Sequence, residues 1–105
     1  MSVSMTSAIP TVASWPVYLE EQLRAIPEVS SAFVGMDVGN AVRLVIFVST
    51  YTDEILEKVM DVEDRFADLY RDQRFRFDIL ADPQQGSPRD VVPGFKQIYF
   101  SARAA

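Results

Sequence analysis

The 105-residue chain has room for one domain, and its 49% apolar and 11% aromatic content is that of a protein with a packed core. It contains no cysteine and no histidine, which excludes disulfides, thiolate nucleophiles, cysteine-ligated metal sites and every catalytic dyad or triad built on an imidazole base. A formal net charge of -5 opposes binding to nucleic acid or to an anionic membrane, because both require Lys and Arg to neutralise phosphate.

Residues 1–13 are small and polar with scattered apolar positions, and read as a flexible tail or a weak edge strand. They lack the basic and apolar blocks of a signal peptide, and no segment approaches the roughly 20 apolar residues that span a bilayer. The expectation is a soluble, cytoplasmic protein. Ser14 before Trp15 and Pro16 predicts a helix start, and Trp15, Leu19, Leu23 and Ile26 share one helical face up to the stop at Pro27. Val29 to Val38 alternates as a strand does, Gly39-Asn40 supplies a turn tolerant of positive φ, and Val42 to Val48 is an aliphatic run broken only by Arg43. The pattern predicts a hairpin whose second strand is covered on both faces.

Thr52 or Asp53 caps a second helix that runs to about Tyr70 or Arg71, with Ile55, Val59, Val62, Phe66 and Leu69 in one stripe widened by Leu56, Met60, Ala67 and Tyr70. Arg74 to Leu80 then alternates strictly, with Phe75, Phe77 and Ile79 opposite Arg74, Arg76 and Asp78. Three prolines and two glycines between Ala81 and Gly94 predict an irregular connection, and Phe95 to Phe100 a short closing strand. Residues 14–101 therefore form one α+β domain, with 102–105 a C-terminal tail. The order αββαβ(β) predicts a mixed sheet with two helices on one face, ferredoxin-like or split βαβ in outline. Two helices on one face leave the other face of the sheet open.

Candidate chemistry is sparse. Glu54, Glu57, Asp61, Asp64 and Asp68 line one side of the second helix and read as its solvated back. The Arg74, Arg76 and Phe75, Phe77 alternation superficially suggests a base-stacking platform, but a strand sends the rings and the arginines to opposite faces. Asp37 at the hairpin end and Asp78 in the third strand are the candidates for an oxygen-ligated metal. From Val29 to Leu80 the order of hairpin, helix and strand resembles, in outline only, a minimal nucleotidyltransferase core. That family uses a Gly-Ser turn and paired aspartates on the second strand; here Met36 follows Gly35, and the second strand offers Arg43 and no carboxylate. The resemblance therefore implies either a metal-dependent phosphoryl or nucleotidyl transfer enzyme or a catalytically dead relative.

With no catalytic residues and no cofactor assigned, the leading expectation is a non-catalytic protein-interaction or oligomerising module. It would dock on itself or on another protein through the open sheet face, a sheet edge or the Pro-rich connection. Arg74, Arg76, Arg89, Phe95 and Tyr99 are the candidate partner-binding residues, and neither nucleic acid nor membrane is expected as a partner. A small-ligand sensor is the remaining alternative.

Overall fold

In the computed structural model, which describes residues 15–101, the first helix (α1, Trp15–Arg24) buries Leu19 and Leu23 on the stripe the spacing predicts. It ends two residues earlier than expected. Ala25 and Ile26 continue as tight turns, their N–H groups donating to Gln22 and Leu23, and Ile26 remains buried. The Ser14 cap and the tails at 1–13 and 102–105 lie outside the described residues.

The hairpin comprises β1 (Val29–Met36) and β2 (Val42–Val48), paired antiparallel from Met36 opposite Val42 to Val29 opposite Val48. β1 stops before Val38, which sits 88% exposed in a short 3₁₀ turn. Gly39 and Asn40 in that turn both have positive φ, the conformation these two residue types adopt at least cost. Thr52 caps the second helix (α2, Asp53–Leu69) by accepting a hydrogen bond from the Ile55 N–H. Ile55, Val59, Val62 and Phe66 form its buried stripe. Leu69, expected in that stripe, is exposed, because the helix ends there and Tyr70 swings into the core in its place. Met60 and Ala67 are likewise exposed, so the buried stripe is narrower than predicted.

α2 crosses over to β3 (Phe75–Ala81), which pairs parallel with β2. β4 (Lys96–Phe100) returns antiparallel to β1 on the other side, giving the order β3-β2-β1-β4. Two strands are thus central, not one: β1 as well as β2 is buried on both faces along most of its length. One face of this mixed four-stranded sheet carries α1 and α2 over a core of Ala32, Leu44, Ile46 and Val48 with the two helical stripes. Phe66 is its hub, with ring centroids of Trp15, Tyr18, Tyr70, Phe75 and Phe77 all between 4.5 and 6.2 Å away.

The other face is not open, which corrects the sequence expectation. The β3–β4 connection holds a third, one-turn helix (α3, Pro88–Val91) that local patterning did not reveal. This connection places Val92 and Phe95 over Phe33, Val45 and Phe47, forming a second small core. Its start is tied down where the Asp82 N–H donates to the Val48 carbonyl and the Ser30 hydroxyl donates to the Asp82 carboxylate at 2.6 Å. Apolar residues on both faces of β1 and β2 required such a second cover, since rings left in water forfeit the transfer free energy that drives folding.

Candidate functional site

The second face divides into a charged end and an apolar end. At the charged end, Arg43 on β2 and Arg76 on β3 are neighbours in the parallel register. The Arg43 guanidinium donates to Asp78 at 2.7 Å, and Arg76 donates to Asp37 at 2.9 Å. Asp37 also accepts the Val38 N–H at 2.8 Å. That backbone bond first, and the Arg76 guanidinium second, hold its carboxyl below the ordinary value. The two carboxylates singled out as metal candidates are each committed to an arginine, and the cluster is charge-balanced within itself. Among the described residues no group of three or more acidic side chains is placed to hold a metal ion.

Arg43 also lies over the Phe95 ring, 5.7 Å from its centroid. The ring in turn rests on Gly35: a Cβ there would fall 2.6 to 2.8 Å from three of its atoms. Gly35 is thus a packing glycine that lets the crossover lie flat on β1, in the place where the outline resemblance would put a phosphate-binding turn.

The predicted partner-binding residues do not form one patch. Arg74 and Arg76 flank the hairpin turn at the start of β3. Arg89 belongs to α3 and donates to the Gln97 side chain of β4 at 2.9 Å. Phe95 is spent on covering the second core, and Tyr99 is 7% exposed within the main core opposite Ala32.

Of the closing-strand aromatics that the sequence offers for covering an edge or pairing with a second copy, Phe95, Tyr99 and Phe100, the one left exposed is Phe100. It is 59% exposed at the end of β4, and β4 pairs with β1 alone among the described residues. The Ser101 N–H donates to the Ser30 carbonyl, so the alternation of an antiparallel ladder turns the Phe100 N–H and C=O away from β1 towards the free edge. A shallow groove of about 590 Å³ runs along this edge, lined by Glu20 of α1, Arg89 and residues 94–100. The other edge, β3, is bordered by Arg74, Arg76, Asp78 and Asp82, charges of the kind that keep exposed edges from pairing.

No helix among the described residues is long and apolar enough to cross a membrane. Neither known sequence families, nor curated proteins, nor solved structures yield a match to the chain.

Proposed function

We propose that this protein is a non-catalytic interaction module that self-associates through the free edge of β4. The observation that carries the reading is the β4 edge that no described residue pairs with, and the exposed Phe100 beside it. An uncovered apolar edge strand is a template for another strand. The alternatives for docking are weaker, since the second face is covered by the crossover and the β3 edge is fringed with charge. The paired state of Asp37 and Asp78 argues for the same class over metal-dependent transfer chemistry.

A second copy is the partner that fits the strand's own sequence. β4 has a register irregularity against β1 at Ile98, and antiparallel pairing of two copies about a two-fold axis near that residue brings Lys96 of one copy to Phe100 of the other and Gln97 to Tyr99, so no like charges meet. Two four-stranded sheets become one of eight. In outline the scaffold is ferredoxin-like, a hairpin joined by a helical crossover to a parallel strand, except that β2 and β3 are direct neighbours with no strand between them.

Sedimentation equilibrium of the wild type and Phe100→Pro tests this. Proline at that position deletes an outward-facing donor and a large exposed ring while leaving the inward ladder intact. A concentration-dependent dimer that Phe100→Pro converts to a folded monomer supports the proposal. A wild-type monomer at all concentrations, or a dimer indifferent to the substitution, refutes it.

A further inference from the structure

At the apolar end of the second face, between the crossover and β4, lies a cleft of about 450 Å³ lined by Ser31, Phe33, Pro88, Arg89, Gln97 and Phe100. Its size is within the range of small-molecule sites, which run from roughly 300 to 1,000 Å³. A second hollow of about 220 Å³ abuts it and shares Ser31, Pro88 and Phe100. Ser31 and Phe100 are directly opposite in the β1–β4 register, so they stand side by side on the same face between the two hollows.

Three features distinguish this cleft from an ordinary surface dent. Ser31 is 2% exposed and its hydroxyl has no hydrogen-bond partner among the described residues, although a buried donor left unpaired is costly and native structures seldom keep one. Among the described residues that line the cleft, Arg89 alone is charged. It contributes one donor to Gln97, leaving the rest of its five-donor fork free for an anion. The apolar part of the lining is Pro88 and two aromatic rings, with Phe33 buried in the floor and Phe100 exposed at the rim, able to swing aside without breaking a packed core, while Ser87 and Gln97 complete the wall.

We propose that this cleft is a binding site for a small aromatic acid: the carboxylate pairs with Arg89, the ring stacks against Phe33 and Phe100, and a hydroxyl or carbonyl on the ring satisfies Ser31. Offset or edge-on ring contacts and a forked guanidinium–carboxylate pair are mutually compatible in a site of this size. Arg89 and Phe100 also border the groove along the β4 edge, whereas Ser31 and Phe33 do not, so the Ser31 readout separates ligand binding from self-association.

The test is a two-dimensional amide NMR titration with benzoate, 3-hydroxybenzoate and 4-hydroxybenzoate up to about 10 mM, the range in which ligands this small bind. Saturable shifts confined to Ser31, Phe33, Arg89, Gln97 and Phe100 are expected, with one hydroxybenzoate tighter than benzoate. Ser31→Ala should erase that difference while leaving benzoate binding intact, and Arg89→Gln, at an exposed position, should weaken every acid by about tenfold to a hundredfold. Both variants should fold as the wild type does. Absence of saturable shifts for all three acids overturns the proposal, as do shifts unaffected by Arg89→Gln. Equal affinities for benzoate and the hydroxybenzoates would mean that Ser31 is satisfied by water alone, and would overturn its assigned role.

Discussion

Replacing Gly35 with Ala should destabilise the domain because of one ring. Its φ is not positive, so alanine is acceptable to the backbone and by itself would stabilise a strand by roughly 0.5–1 kcal/mol. The added Cβ, however, meets the Phe95 ring at 2.6 to 2.8 Å, closer than two carbons can approach. Either β1 shifts, at the roughly 1–3 kcal/mol typical of overpacking, or Phe95 leaves. Full burial of a Phe side chain is worth about 1.5–3 kcal/mol, and Phe95 is half-buried, so its departure, with its Arg43 contact, also comes to about 2 kcal/mol. The expected net loss is ~1–2 kcal/mol, a fall in melting temperature of roughly 4–16 °C for a domain of this size. Urea unfolding followed by circular dichroism measures it. The decisive comparison is the Phe95→Ala background, where the obstacle is gone and Gly35→Ala should turn neutral or stabilising. An alanine at 35 that is as stable as the wild type, or equally harmful with and without the ring, would refute the packing described for the second face.

Phe66→Ala should cost about 3–5 kcal/mol, since it opens a cavity at the hub of five aromatic contacts, and should collapse the near-ultraviolet circular dichroism of Trp15, whose ring is 5.7 Å away. Glu63, beside Phe75 and Phe77, has its carboxyl raised above the ordinary 4.5, by burial first and by Asp64 and Asp78 after it. The folded state therefore holds this proton longer than the unfolded state, and the contribution of Glu63 to stability falls as pH rises through that window. Glu63→Gln should match the wild type below about pH 4 and exceed it at neutral pH by denaturant midpoint. Asp37 has the opposite sign: its carboxyl lies below the ordinary 3.8, so its stabilisation is present above that value and is lost as pH falls through the folded pKa. Asp37→Asn should be less stable than the wild type at pH 6 and no less stable at pH 2, again by denaturant midpoint.

Elements with a strong local period were legible from the amino acids alone. The α2 stripe from Ile55 to Phe66, the turn at Gly39-Asn40 and the sorting of Phe75 and Phe77 from Arg76 all follow from spacing within one segment. What escaped was set by contacts distant in sequence. Nothing near Val92 or Phe95 announces that they pair with Phe33, Val45 and Phe47, nor do the residues around Pro88 show the several turns of periodicity that identify a helix. The clue available was the apolar content of β2 on both faces, which demanded a second cover that the long connection was free to supply. The charged cluster was half legible. Asp37 and Asp78 stand out as carboxylates, but their arginine partners, 39 and 35 residues away in sequence, are set by the parallel register of β2 and β3. Ser31 could not have been singled out at all, because an unpartnered hydroxyl is a property of its surroundings.

The proposed β4 pairing is most directly tested by cross-linking, which the absence of cysteine in the chain makes unambiguous. In a two-fold pairing centred on Ile98, where β4 is irregular against β1, the two copies of that residue come within the roughly 4.4–6.8 Å of Cα separation that a disulfide bridges. Under mild oxidation Ile98→Cys should run as a dimer on a non-reducing gel, and Leu80→Cys, on the β3 edge, as a monomer. An Ile98→Cys protein that stays monomeric, or a Leu80→Cys protein that cross-links in its place, would contradict the account.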